Sequence, residues 1–349
     1  MRLLDRIVTC NEPFVVQSNG SGERTRLSGA LDVAPAVRAC PLRYVLSDDL
    51  AVLCTDLAYS KGATVYECLD LVRIPAESVW IEWSDQPWRE RLLQYGFSCD
   101  DAPQRGGRRG LLLRASRNGL HGTLRAFWTV GEGDRDLLAS AMEAHFYLDG
   151  QPAPPTATSH GEPRFAPRLY VDDEQAPAAA VLARCFHFEF EPSWERYYQE
   201  RARSAAEYRS VQLQSAGAVA IAVPVLLAFL LLLNTRDGLP QRASALERLN
   251  RARAHSGRQP LLDHVEVRAP LCQPAPPVAH GQPGGDGRRA PRLHHVRGHL
   301  MRRANQLIWR SSHVRGSARL GTLRSRTVTW TLDYPRSASA ARSSSVRSP

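Results

Sequence analysis

The sequence predicts an α+β protein with a mixed N-terminal domain, a buried apolar helix and a small basic β-rich C-terminal module. Three observations lead to this class. Segments with alternating apolar residues are interleaved with segments of helical periodicity along residues 1–150. Residues 215–234, SAGAVAIAVPVLLAFLLLLN, carry no charge. The last third of the 349-residue chain is strongly basic.

Residues 1–150 are predicted to form the mixed α+β domain. IVTC and FVVQ near the start are predicted strands, and LSDDLAVLCTDLAYS, with Ser47 as its cap, is a predicted helix. VWIEW is a predicted strand with Trp80 and Trp83 on opposite faces, followed by a helix over 84–95 and a loop from 100. Further strands are predicted at LLLRAS, LHGTLRAFWTV and AHFYLDG.

A proline-rich segment at 151–168 predicts a linker or a long loop, and 169–257 is predicted to hold one strand and several helices. The strand is CFHFEFE. Its alternation places three phenylalanines on one face, covering a core, with His187 and Glu189 on the other. His187 is therefore expected to face solvent.

The helical part begins with the polar segment SWERYYQERARSAAEYRSVQLQ, which leads directly into 215–234. Ser244 and Glu247 have the spacing of a capping box, which predicts the start of a further helix. Gly257 is expected to end that helix in a left-handed conformation.

The uncharged segment 215–234 has the length needed to cross a bilayer. Pro224 at its centre also suits a break between two shorter buried helices. Arginines flank both sides, so the charge bias that orients membrane helices is nearly absent. We expect a core helix, with a single-pass membrane span as the alternative.

The expected location is the cytoplasm, because the first residues, MRLLDRIVTCNEPF, lack the apolar core of a secretion signal. The inner membrane is the alternative if 215–234 spans. The seven cysteines contain no C-x-x-C pair, so they predict buried reduced thiols and neither a zinc ribbon nor a disulfide framework.

Residues 258–334 are predicted to form the basic β-module, with a Gly/Pro-rich loop at 273–289 and a disordered tail at 335–349. Strand character is seen in LLDHVEVRAPL, and the module is expected to contain the strands LHHVRGHLM, QLIWR and TVTWTLDY.

Charge is segregated along the chain. Residues from Thr235 to Pro349 hold 21 arginines and 6 acids, a net charge of +15, whereas residues 1–234 carry −5. Such segregation suggests a phosphate-rich partner for the C-terminal third, or an acidic surface in the same assembly. Lys61 is the only lysine, which indicates a coding preference for arginine and lowers the weight of any single arginine.

The basic residues are densest at 291–316, where four histidines and six arginines occur without an acid. A continuous strand over 293–301 would place His295, Arg297 and His299 on one face. Because the arginine fork matches phosphate, we expect DNA or RNA to be bound here. The alternative is a structural or adaptor role in binding another protein. The predicted nucleic-acid-binding residues are His294, His295, Arg297, His299, Arg302, Arg303, Arg310, His313 and Arg315.

Metal and enzyme chemistry receive less support from the sequence. His295, His299 and His313, with Asp263 or His264, lack a standard ligand spacing, so no metal site is predicted. A nuclease would use His299 as base and Arg297 or Arg302 to stabilise phosphate charge. The chain contains no P-loop, no dinucleotide fingerprint, no H-E-x-x-H and no G-x-S-x-G, and no cofactor is predicted.

Two motifs in fixed order resemble a group of uncharacterised phage and prophage proteins. They are ERLNRARAHSGRQPLLDHVEV at 247–267 and PRLHHVRGHLMRR at 291–303, followed by a Trp-containing strand. Val296 and Met301 depart from the pattern, and the resemblance covers about 100 residues. It implies a soluble protein whose partner in an adaptor role would be another phage or host protein, and it supplies no activity. The matching residues are Leu249, Asn250, Arg253, Gly257, Pro260, Leu261, His294, Arg297, Gly298, His299 and Arg302.

Overall fold

The computed structural model describes residues 2–9, 15–17, 24–26, 33–59, 64–97, 107–130, 136–149, 185–235, 239–270, 292–296, 299–303, 306–310, 313–315 and 317–322. The predicted loop from 100, the linker at 151–168, the loop at 273–289, the strand TVTWTLDY and the tail at 335–349 lie outside these residues. Contacts divide the chain into two compact units. The first is Met1–Leu271 with Leu300–Arg310, and the second is Cys272–His299 with Ser311–Pro349.

Helices and strands are mixed along the chain, which confirms the α+β class. The helices are α1 (Leu3–Thr9), α2 (Val33–Ala39), α3 (Asp48–Tyr59), α4 (Thr64–Glu67), α5 (Asp85–Gln94), α6 (Pro192–Arg201), α7 (Ala205–Ala220), α8 (Val223–Leu233) and α9 (Glu247–His255). The first ten strands are β1 (Val15–Gln17), β2 (Arg24–Arg26), β3 (Leu42–Leu46), β4 (Ser78–Ser84), β5 (Arg108–Ala115), β6 (His121–Val130), β7 (Asp136–Tyr147), β8 (Phe186–Phe190), β9 (Gln241–Ala243) and β10 (Val265–Val267). The last five are β11 (Arg292–Val296), β12 (His299–Arg303), β13 (Gln306–Arg310), β14 (His313–Arg315) and β15 (Ser317–Thr322).

The first unit is built on an eight-stranded sheet with the order β8-β7-β6-β5-β4-β3-β10-β9. β3 runs parallel to β4 and β10, and the other neighbours are antiparallel. One face of the sheet packs on α1 and α2, and Trp80 belongs to that core. Trp83 lies in the larger core on the opposite face, with α3 and α8, so the predicted alternation of the two tryptophans is confirmed.

The apolar segment predicted at 215–234 forms the end of α7 and all of α8, which are separated at Ile221 and Ala222. Pro224 lies in the first turn of α8, where its missing N–H costs no helical hydrogen bond. Side chains from Val223 to Leu232 are buried on all sides, as expected for a helix without a polar face. The span Ala205–Leu233 is long and apolar enough to cross a membrane. In its most apolar stretch of 18 residues, 78% is buried inside the protein.

The strand predicted at IVTC is wrong, because Ile7, Val8 and Thr9 belong to α1. Leu3, Leu4, Ile7 and Val8 recur at helical spacing and are buried, which outweighs the strand preference of the β-branched pair. The buried Glu82 carboxylate accepts hydrogen bonds from the Leu3 and Leu4 amides at 3.2 and 2.8 Å. A residue far along the sequence thus satisfies the first turn of this helix.

The capping box predicted at Ser244 and Glu247 is also wrong. The Ser244 hydroxyl accepts a hydrogen bond from the His264 amide at 3.0 Å, and α9 begins without a side-chain cap. β9 and β10 pair beside each other in the large sheet, which draws Ser244 toward the neighbouring chain segment instead of the helix. Gly257 has φ +68°, so the predicted left-handed stop is confirmed.

Residues 258–271, assigned by the sequence to the C-terminal module, belong to the first unit. β10 lies between β3 and β9 in the large sheet. Leu300–Arg310 also belongs to the first unit, where Leu307 is buried in the larger core. The second unit contains a three-stranded sheet with the order β14-β11-β15.

Candidate functional site

The predicted basic segment is divided among several short strands. Within the strand considered over 293–301, the structure describes β11 up to Val296 and β12 from His299. In the second unit, the register sets His294 opposite Arg315 and Val296 opposite His313. His295 lies opposite Val314, and His299 is the first residue of β12. Arg297 lies outside the described residues.

Arg302 is held by an acid of the first unit. Its two terminal nitrogens donate hydrogen bonds to the Asp70 carboxylate at 2.8 and 3.2 Å, and one of them also donates to the Glu67 carbonyl at 3.2 Å. This bidentate contact raises the pKa of the Arg302 guanidinium and occupies the groups that would bind phosphate. Arg303 and Arg310 are exposed.

The first of the two sequence motifs, at 247–267, forms a helix and the loop that follows it. The Asn250 side chain donates to the Leu261 carbonyl at 3.0 Å and accepts from the Leu261 amide at 2.8 Å. Arg253 donates to the Gln259 carbonyl at 2.8 Å, and Gly257 makes the left-handed turn between them. These motif residues therefore have a structural role, since they bind the end of α9 to the loop that follows it.

The helix α9 that this clamp holds has no buried residue. Arg248, Arg251 and His255 occur at i, i+3 and i+7, so they lie along one stripe of the helix, and all three are exposed. Arg258 is exposed in the loop. Among the residues that the structure describes, no ion pair involves Arg248, Arg251 or Arg258. Four positive or titratable side chains are thus presented to solvent on a fixed support.

A second cluster lies on the large sheet, where β7 and β8 pair. The register sets His145 opposite His187 and Glu143 opposite Glu189, so the four side chains share one face. His187 Nε2 is 3.2 Å from Glu189 Oε1, and His145 Nε2 is 3.4 Å from Glu189 Oε2. One donor atom from each of His145, His187 and Glu189 lies within 4.8 Å of the others, a geometry able to hold a metal ion.

The solvent-facing position expected for His187 is wrong, since this residue is only 2% exposed. Its ring stacks on that of His145, with centroids 4.5 Å apart and planes 11° apart, and on Tyr147 at 5.7 Å. The predicted alternation of the strand is confirmed by Phe186 and Phe188, which are buried in the larger core. Both faces of β8 are therefore covered at this point.

Charged groups surround the histidine pair on the same sheet face. His121 Nε2 lies 2.6 Å from Asp149 Oδ2, and its ring is 5.5 Å from that of Tyr147. Arg125 pairs with Glu143 across β6 and β7. Burial lowers the pKa of Arg125, while the charges of Glu191 and Glu143 oppose this shift. The face therefore carries both signs of charge around the two stacked rings.

Of the metal ligands considered in the sequence, only Asp263 and His264 have described side chains, and neither belongs to the metal-binding cluster found among the described residues. His264 is buried with Nδ1 3.0 Å from the Leu262 carbonyl, whereas Asp263 is exposed. The cluster on β7 and β8 was missed because its members are 42 residues apart along the chain. Alternation in AHFYLDG and CFHFEFE was the available signal, since it sets a histidine on the non-core face of each strand.

The function of this chain must be argued from its own residues, because no family model, curated protein or solved structure matches it.

Proposed function

We propose that this protein associates with DNA or RNA through the exposed arginines of its basic C-terminal third. The observation that carries the proposal is α9, a helix without a buried residue that presents Arg248 and Arg251 on one stripe. The clamp at Asn250 holds the helix against the following loop, so these guanidinium groups are displayed on an ordered support.

The chemistry favours phosphate over a specific base sequence. Guanidinium groups bind phosphate oxygens through paired N–H donors, and such contacts give affinity without sequence choice. Arg258, Arg303 and Arg310 add exposed positive charge. Arg302 is left out of the proposed interface because Asp70 holds it. Of the other residues predicted from the sequence, His294, His295, His299, His313 and Arg315 also remain in the proposal, as members of β11, β12 and β14.

The test is a titration of the full chain with labelled duplex DNA, single-stranded DNA and RNA at 50 and 200 mM salt. Three phosphate contacts on duplex DNA give a salt slope of about −2.7, which corresponds to a roughly 40-fold loss of affinity over this range. Replacing Arg248, Arg251 and Arg258 together by glutamine should weaken binding at low salt and reduce the slope by up to about 3.

The matched control replaces three exposed arginines outside the basic third by glutamine. They are Arg117, Arg196 and Arg203. This variant has the same net charge as the first, so equal loss of binding in both would show a nonspecific charge effect and contradict the proposed interface. Absence of binding by the unaltered chain at low salt would overturn the proposal.

A structural or adaptor role is the second candidate, and Leu249 favours it. This leucine is 48% exposed on the same helix, and covering its apolar side chain with a partner protein would be favourable. A partner protein whose binding is insensitive to salt and lost in Leu249→Ser would support this role.

We further propose a cytoplasmic location and a phage or prophage setting. The packing of α8 against the sheet supports the first, and the two motifs at 247–267 and 291–303 support the second. Recovery of the full chain from cells only with detergent would favour the inner-membrane alternative.

A further inference from the structure

We propose that His145, His187 and Glu189 form a binding site for one divalent first-row transition-metal ion such as zinc. The site is separate from the basic surface and lies on the large sheet of the first unit, where β7 and β8 pair. It goes beyond nucleic-acid association and does not depend on it.

Two of the separations between ligand atoms are close to those of zinc coordination. Zinc bonds of about 2.0–2.1 Å in tetrahedral geometry place neighbouring ligand atoms roughly 3.3–3.4 Å apart. The Glu189 carboxylate lies 3.4 Å from His145 Nε2 and 3.2 Å from His187 Nε2. The two distances run to different carboxylate oxygens, so the carboxylate already reaches both imidazole nitrogens, and convergence on one ion depends on the His145 ring.

The choice of ligands determines the class of ion. Imidazole nitrogen binds zinc, copper, iron and nickel well, whereas magnesium and calcium take oxygen ligands. Two histidines and one carboxylate supply three protein ligands, which leaves one tetrahedral position for water or for another ligand. This pattern differs from closed structural zinc sites, in which the protein fills all four positions.

The three proposed ligands differ in burial, and His187 is the most buried of them. The side chain of His187 is 3% exposed and stacks on Tyr147, which restricts its ring. The side chains of His145 and Glu189 are 26% and 28% exposed, so solvent reaches the cluster from their side. Because the two imidazole rings are stacked, ion binding requires the His145 ring to turn until both Nε2 atoms are directed at one point.

The experiment uses the full chain, purified in the presence of a chelator and then dialysed free of it. Titration with Co(II) should give visible absorption bands typical of low coordination number, and Zn(II) should displace the signal at one equivalent. Glu189→Gln and His145→Ala should each weaken Zn(II) binding by at least about 10- to 100-fold, the loss typical for residues one step further from an ion.

Two controls separate this site from the other histidines of the chain. His121→Gln changes a half-exposed histidine on the same sheet face that does not belong to the cluster, and its Zn(II) affinity should equal that of the unaltered chain. Thermal unfolding without Zn(II) shows whether each variant is folded. Thermal unfolding with Zn(II) reports binding, because a bound ion raises Tm only in variants that keep the site. Absence of Co(II) bands in the unaltered chain, or equal Zn(II) affinity in Glu189→Gln, would overturn the proposal.

Discussion

The helices α8 and α9 lie close together in the chain and have opposite environments. Ten of the eleven residues of α8 are buried, whereas none of the nine residues of α9 is. α8 contributes to the fold through apolar contacts on every side, and α9 keeps its place through a few hydrogen bonds to one loop. The core and the proposed binding surface therefore depend on separate residues, so each can be altered while the other is kept.

The strongest test of this comparison is a cavity in α8. Phe229 is fully buried, and its ring meets that of Tyr44 edge-on at 5.5 Å. Phe229→Ala should lower the free energy of unfolding by about 3–5 kcal/mol, because the removed ring leaves a cavity and loses its transfer free energy. Chemical denaturation measures the loss, with Phe229→Leu as the control that should lose less. An unchanged midpoint in Phe229→Ala would contradict the buried environment of α8.

An intermediate effect is expected at the clamp of α9. Asn250→Ala removes two hydrogen bonds to the Leu261 backbone and should destabilise the helix and loop by about 1–2 kcal/mol. Amide hydrogen exchange at Leu261 reports this directly, since its N–H donates to Asn250. Asn250→Asp keeps the acceptor and loses the donor, so its exchange rate should lie between those of the other two proteins. Equal exchange in all three would contradict the clamp.

The smallest effect is expected on the exposed surface of α9. Leu249→Ala should change the free energy of unfolding by less than about 0.5 kcal/mol, because little apolar area is buried and alanine is the better helix former. Chemical denaturation of the two proteins under identical conditions measures this. A loss above 1 kcal/mol, taken as roughly twice the usual limit for surface changes, would mean that Leu249 packs against another part of the chain.

Local patterns in the sequence predicted many elements correctly. The uncharged run of α8, the alternation in β4 and β8, and the glycine after α9 each carry their own signal within a few residues. The two incorrect predictions at IVTC and Ser244 share a cause. In both, a partner distant in sequence, Glu82 or His264, determines the local hydrogen bonding.

The candidate sites were harder to predict for the same reason. The pairing of Arg302 with Asp70 joins residues 232 apart, so no local pattern in the sequence predicts it. His187 was expected in solvent because strand alternation distinguishes two faces but does not say what covers each of them. Only the register of β8 on β7 sets it opposite His145. The residues of the α9 motif are visible in the sequence, whereas the clamp made by Asn250 and Arg253 depends on the turn that brings Gln259 and Leu261 back to the helix.

The segment Leu300–Arg310 limits where the chain can be truncated. This segment belongs to the first unit although residues before and after it belong to the second, and Leu307 is 4% exposed in the larger core. Cutting the chain at Cys272 would therefore remove an interior side chain from the portion that is kept. The two compact units are interleaved in sequence. We therefore expect a chain truncated at Cys272 to be less stable than the full chain.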